Sequence, residues 1–158
     1  MRYYNVPMIR QEKQMSCWHA SARMIWAFKY RQSIDPLSSV FRVNTGVSPA
    51  QFVHLARELG LQTVPEIIMS YSWREVSDLL RRHGPLWVAG RWYGFNHIIV
   101  VTGVDPDGTL YVNDPGTGRR RVHDMAFFNE KIAKIDRNPI MYLPNSQATA
   151  AGFSRVFN

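Results

Sequence analysis

Three side chains far apart in the chain carry the reactive chemistry: the thiol of Cys17, the imidazole of His97 and the carboxylate of Asp114. Cys17 is the only cysteine and stands in Gln11-Glu-Lys-Gln-Met-Ser-Cys-Trp-His-Ala20, where an amphipathic helix begins. The unpaired N–H groups and positive dipole end of a helix start favour a thiolate over a thiol. A lone cysteine is more often a small buried hydrophobe, so its position alone does not make it a nucleophile. His97 supplies the second group. It opens a β-branched run, His97-Ile-Ile-Val-Val-Thr-Gly-Val104, followed by the turn Asp105-Pro-Asp-Gly108 and a second run, Thr109-Leu-Tyr-Val-Asn-Asp114, which together read as a hairpin. Pairing Val104 with Thr109 sets Ile99 opposite Asp114, so His97 and Asp114 lie diagonally on one face, with Cβ atoms somewhat under ~7–8 Å apart. A carboxylate at that distance can accept from an imidazole N–H and fix its tautomer. Asn113 points the other way, and a loop one residue longer or shorter exchanges it for Asp114. Nucleophile, base and orienting acid in the order Cys17, His97, Asp114 meet the requirement for thiol-based acyl transfer.

These residues resemble those of the papain-like cysteine proteases. Ser16-Cys17-Trp18 matches the [SA]-C-[WY] core around the papain-type nucleophile, and Gln11 matches the family glutamine that donates to the oxyanion, with Gln14 the competing candidate. The resemblance spans residues 6 to 116 and departs from the larger family members in two ways. Gln14-Met15 stand where those carry an extra Cys and Gly, and His97 follows the nucleophile early, so the chain looks like a minimal papain core. Papain orients its histidine with asparagine, whereas Asn113-Asp114-Pro115 looks more like the compact bacterial relatives with a Cys-His-Asp triad. Those relatives include the double-glycine leader peptidases of bacteriocin exporters and avirulence-type effector proteases. Gln-Met-Ser-Cys-Trp, Gly84-Pro-Leu-Trp-Val88 and His97-Ile-Ile-Val-Val-Thr-Gly look most like the effector group. The resemblance implies a cysteine endopeptidase cutting a protein substrate, with a small residue such as Gly-Gly before the cut. It also implies a bacterial effector or interbacterial toxin with a cognate immunity protein.

The elements that must position these groups follow from periodicity. Ala20, Met24, Ala27 and Phe28 define one buried stripe of a helix from Cys17 to about Tyr30, with the thiol at its exposed end. A second helix starts at Ser48-Pro49, carries Phe52, Leu55, Ala56 and Leu59 on one stripe, and stops at Gly60. Ser72-Trp-Arg-Glu75 is a capping box opening a third helix, which Gly84-Pro85 ends. Strands follow over Leu86 to Arg91, the His97 hairpin and Pro139 to Leu143, with a short helix capped by Asp124 and running to about Ile132. Helices first and an antiparallel sheet afterwards is an α+β order. It agrees with a papain-like fold in which an N-terminal helical half carries the Cys and a C-terminal antiparallel sheet carries the His and Asp. Residues 1–143 form one domain, and 144–158 read as a loosely held tail on which Phe153, Val156 and Phe157 could dock.

Composition narrows the class further. With 46% hydrophobic and 13% aromatic residues, 158 residues can bury a substantial core without metals or disulfides. No apolar run is long enough for a membrane span, no Sec-type signal opens the sequence, and one unpaired cysteine fits work in a reducing compartment. The expectation is delivery by a specialised secretion system and action in the cytosol of a target cell. Metals and cofactors are not expected: no CxxC or HExxH occurs, and Asp105-Pro-Asp-Gly lacks the acidic twelfth residue of a calcium loop. His19, His54, His83 and His123 are read as structural or solvated. Trp18, Trp87, Trp92 and Tyr93 belong to the core or the cleft wall, with Trp18, Trp92 and Tyr93 the candidates for substrate contact.

A net charge of +7 and a pI near 9.9 favour acidic partners. Gly116-Thr-Gly-Arg-Arg-Arg121 reads as a basic loop at the cleft rim, suited to an acidic or DNA-associated protein substrate. No nucleic-acid-binding signature appears, so direct nucleic-acid binding is not expected. Two alternatives stand beside proteolysis. The same triad runs deamidation or acyl transfer when the donor is a glutamine side chain or the acceptor an amine, and a non-enzymatic basic module that binds nucleic acid would leave Cys17 as packing.

Overall fold

A computed structural model describes residues 3–31, 46, 48, 51–65, 68–134 and 139–144. Four helices and six strands are present among them: α1 (Cys17–Tyr30), α2 (Phe52–Glu58), β1 (Gln62–Thr63), α3 (Trp73–His83), β2 (Leu86–Gly90), β3 (His97–Val104), β4 (Leu110–Asp114), β5 (Arg119–His123), α4 (Met125–Lys131) and β6 (Ile140–Tyr142). The strands form one sheet in the order β1-β6-β2-β3-β4-β5, antiparallel throughout. Pro49, the side chains of Phe52 and Leu55, and the tail beyond Pro144 lie outside the described residues.

Alternation along the central strands explains how helices cover both faces. Trp87 and Ala89 of β2 and Ile98 and Val100 of β3 turn to one core with Ala22, Met24 and Ile25 of α1. Leu86 and Val88, with Ile99 and Val101, turn to a second core with Val76, Leu79 and Leu80 of α3 and Phe128 of α4. Both strands are buried along their whole length, so they read as continuous apolar runs rather than alternating ones.

The third helix forms as its sequence predicts. Ser72 Oγ accepts from Glu75 N while Glu75 Oε2 accepts from Ser72 N, and Gly84, at φ 79°, turns the chain into β2. Asp124 likewise caps α4 by accepting from Phe127 N. The α1 helix departs from the expected one-sided stripe: Trp18, Ala22, Ile25 and Trp26 are buried beside Ala20 and Met24. Residues near the end of α2 cover its second side, where Trp26 Nε1 donates to Leu59 O at 2.9 Å.

Three further differences bear on the site. The two-residue β1 was not foreseen, because so short a segment carries no periodicity. The expected basic loop is a strand: Arg119–His123 pairs with β4 along its length, and only the Pro115–Gly118 connection is a turn. The β3–β4 hairpin pairs Val104 with Leu110 rather than Thr109, and the register then shifts between Val101 and Gly103. That bulge absorbs one residue at Thr102, so Val101 faces Val112 and Val100 faces Asn113.

Candidate functional site

His97 is the first residue of β3 and Asp114 the last of β4, so both stand at one end of the sheet. Strand parity puts Asp114 on the side of Val112 and sends Asn113 to the α1 side, where its amide donates to Val6 O at 3.2 Å. His97 Nε2 and Asp114 Oδ1 are 2.7 Å apart, and both residues are nearly inaccessible, at 4% and 1%. The α1 helix crosses the same strand, with Ser21 Oγ donating to Ile98 O, and its first residue, Cys17, lines the same cleft as His97, close enough to favour the charged imidazole. Since Nε2 is held by Asp114, Nδ1 is the nitrogen left for the thiol.

The start of α1 is left unusually open. Ser16 stands at the N-cap without capping, because its hydroxyl donates to Lys13 O and accepts from Lys13 N instead. The first N–H groups of a helix have no intrahelical acceptor, so the Cys17 N–H is outside the helix ladder. Gln11 lies close by, held through its own N–H to Pro115 O at 2.9 Å. Its Nε2 donates to Lys13 O and Gln14 O, both at 2.9 Å, and its Oε1 is buried without a partner. Turning this amide toward an oxyanion therefore requires release of one of those two bonds. Gln14 lines the same cleft with an exposed side chain.

The electrostatics favour charge separation across His97 and Asp114. Burial favours neutral imidazole, but the hydrogen bonds to Asp114 and Cys17 and their negative charge outweigh it and raise His97 to about 9. Burial likewise works against ionised Asp114, yet the hydrogen bonds from His97, Thr117 and Gly116 bring it down to about 2. Gly116 N donates to Oδ1 at 2.9 Å, and Thr117 Oγ1 and Arg121 Nε donate to Oδ2 at 2.9 and 3.1 Å.

The three groups open onto a cleft of about 890 Å³. Of the sequence-derived substrate candidates, Tyr93 lines it. Trp18 borders it from the core, with its ring 1% exposed. Trp92 does not belong to the cleft: it is 1% exposed, donates to Val88 O and packs on Phe128. Its neighbours Phe95 and Asn96 take the wall position instead, and Phe95 is 55% exposed with its ring 5.3 Å from that of His97. Met15 was also missed as a cleft residue, whereas Thr117 and Arg121 lie in the segment expected at the cleft rim. A signal for Arg121 existed: Asp114-Pro-Gly-Thr-Gly is a turn sequence, and a hairpin closed by it returns Arg121 to the face of Asp114. His123, read as structural or solvated, shares a hydrogen bond with Tyr93 OH at 3.1 Å and stacks on Phe127. Among the described residues, no group of three or more His, Cys, Asp or Glu side chains could hold a metal ion, and no helix is long and apolar enough to cross a membrane.

Comparison with known proteins agrees with this geometry. The papain-like cysteine protease AvrRpt2 family matches residues 1–133. The fold is similar to the crystal structure of a double glycine motif protease from an AMS/PCAT transporter in complex with the leader peptide. That match has a TM-score of 0.60 and 22% identity, covering 88% of this chain and 90% of the other. No curated protein sequence matches the chain. A helix-borne thiol facing a buried imidazole across a cleft, on a fold shared with a cysteine protease and a sequence matched over 133 residues, makes this chain a cysteine endopeptidase belonging to the papain-like cysteine protease AvrRpt2 family.

Proposed function

We propose that the chain cleaves a protein substrate through a Cys17-His97-Asp114 triad, as the catalytic domain of a bacterial effector or interbacterial toxin. The observation that carries the triad is buried His97 bonded to Asp114 through Nε2 in the same cleft that Cys17 lines at the start of α1. The Cys17 proton passes to His97 Nδ1, and the sulfur attacks the carbonyl carbon of the scissile bond. The carbonyl oxygen becomes an oxyanion held by the Cys17 N–H and by Gln11, which releases one of its loop carbonyls to donate. His97, as imidazolium, returns the proton to the leaving amine as the C–N bond breaks. Water then cleaves the thioester with His97 as base, releasing the acid and restoring the thiol. Asp114 holds the imidazole in one tautomer and stabilises its charged form.

Similarity to a double glycine motif protease supports a small residue before the cut, with Gly-Gly as the first sequence to try. The single unpaired thiol suits a reducing cytosol, which supports delivery into a target cell by a specialised secretion system and a cognate immunity protein in the producer. Mass spectrometry of a peptide library after exposure to the wild type and to Cys17→Ala tests the activity. The expected outcome is chain cuts after small residues with the wild type alone, while the variant keeps its unfolding midpoint. Deamidated or crosslinked peptides without cuts would replace proteolysis by the related acyl-transfer reactions. Cuts equally frequent after bulky residues would remove the Gly-Gly preference, and an unfolded Cys17→Ala would make the thiol a packing group.

A further inference from the structure

We propose that Arg121 is a positioning residue of this site: it pins one oxygen of Asp114 so that the other meets His97, and with the same flat group it braces Tyr93 as a wall of the cleft. The proposal rests on the triad reading above.

The two oxygens of Asp114 have separate partners. Oδ1 receives His97 Nε2 and the Gly116 N–H, whereas Oδ2 receives Thr117 Oγ1 and Arg121 Nε. A carboxylate free to rotate would offer His97 either oxygen over a range of angles; bonds at Oδ2 remove that freedom. Arg121 reaches Asp114 across the β4–β5 pair, where Val112 faces Arg121, so the sheet register sets the contact. Its guanidinium carbon lies 4.3 Å over the centre of the Tyr93 ring. The Tyr93 hydroxyl and His123 Nε2 share a hydrogen bond at 3.1 Å, so the ring is held by its face and by its far end. Burial raises Tyr93 to about 12, so the phenol stays neutral. Lysine could not substitute, because only a planar guanidinium offers a fixed edgewise N–H while its face lies on a ring. Arg121 is also the only Lys or Arg among the described residues lining the cleft.

Positioning and plain charge part company in the variant that keeps the charge and loses the planar group. As a bare cation near the site, Arg121 disfavours a proton on His97 and favours the Cys17 thiolate, and Arg121→Lys would keep both effects and label as the wild type does. As a positioning residue it keeps Asp114 on His97, so its removal weakens the imidazolium and makes ionisation harder. The other groups facing Asp114 are His97 of β3, Gly116 and Thr117 of the turn, and, through space, Tyr93 and His123. Of these, Tyr93 and His123 also feel the Arg121 charge, which Arg121→Lys retains.

The test is the rate of Cys17 alkylation by iodoacetamide against pH in the wild type, Arg121→Met and Arg121→Lys, with thermal unfolding of each. The expected result for Arg121→Met is a labelling midpoint moved toward that of an ordinary thiol. Labelling at acidic pH should fall roughly three- to tenfold, the effect of about half to one pKa unit. Arg121→Lys, which keeps the charge, should recover only part of the loss. An unchanged or lower midpoint in Arg121→Met overturns the proposal. Labelling of Arg121→Lys indistinguishable from wild type also overturns it, whether or not Arg121→Met unfolds cooperatively. A wild type that itself labels as an ordinary thiol sinks the triad reading instead, a separate outcome.

Discussion

At His97 two opposing forces act on one proton, and their balance sets a pH window. Burial disfavours the imidazolium, while Asp114 and Cys17 favour it strongly enough to raise its pKa to about 9. A histidine whose pKa rises on folding contributes stability fully below its unfolded value of ~6.5, and that contribution is lost as pH climbs through about 9. Asp114, lowered to about 2, contributes above its unfolded value of ~3.9 and loses that contribution as pH falls toward about 2. The pair should therefore stabilise the fold most between about pH 4 and 6.5. The gap in melting temperature between the wild type and Asp114→Asn is expected to be widest near pH 5–6 and to shrink by ~pH 10. A gap that stays constant over that span would mean that His97 and Asp114 are not joined as a charged pair. Residue types were legible in the sequence here: a thiol, an imidazole and a carboxylate stand out by chemistry. The engaged state of Gln11 was not legible, since it depends on where two loop carbonyls lie.

At the scale of elements, the β3–β4 hairpin shows what a sequence reading can and cannot deliver. Alternation correctly sets His97 and Asp114 on one face, but the turn is one residue longer than the sequence reading expected. Val104 pairs with Leu110, and an unbroken ladder from that pair would have put Asn113 on the face of His97. The bulge at Thr102 corrects the count, with Thr102 Oγ1 donating to Tyr111 O and Tyr4 N donating to Thr102 O. Nothing in a β-branched run marks which residue will bulge, and one of the two partners that Thr102 meets lies in the distant N-terminal segment. Capping boxes and glycine stops were legible for the opposite reason: their partners lie within four residues. The Pro115–Gly118 turn makes the element-scale prediction. A Cβ on Gly116 would stand 3.1 Å from Asp114 Oδ1 and 3.2 Å from His97 Cε1, so Gly116→Ala must displace these groups by a few tenths of an ångström and disturb their contact. Hydrogen-bond strength is steep at such distances, so Cys17 labelling at acidic pH should fall severalfold while stability changes by less than ~1 kcal/mol. Wild-type labelling in this variant would show that the turn does not set the His97–Asp114 distance.

The charge of the whole molecule was legible from composition, and its gathering at the cleft rim from the Arg119–Arg121 run that follows Asp114, though the run is a strand rather than a loop. Nineteen Lys and Arg against twelve Asp and Glu could have been spread evenly. Instead β5 gathers Arg119, Arg120 and Arg121 on an edge strand that starts beside the site, and Arg10 lies against Gly118 of the adjoining turn. Arg120 bonds Asn5 and Arg121 bonds Asp114, yet paired cations still contribute to the field that an approaching chain meets. A cleft bordered by such an edge concentrates acidic peptides and speeds their arrival, an effect that ions in solution screen. Raising ionic strength from ~0.01 to ~1 M shrinks the screening length from about 30 to about 3 Å, shorter than the approach path to the cleft. For a peptide substrate with acidic residues flanking the cut, kcat/KM should therefore fall steeply over that range, while kcat stays nearly constant because bonding inside the buried site is little screened. A matched neutral peptide should lose little of either. Equal salt responses for the two peptides would mean that the basic edge does not steer substrate, and that the excess charge of this protein serves some surface other than the cleft.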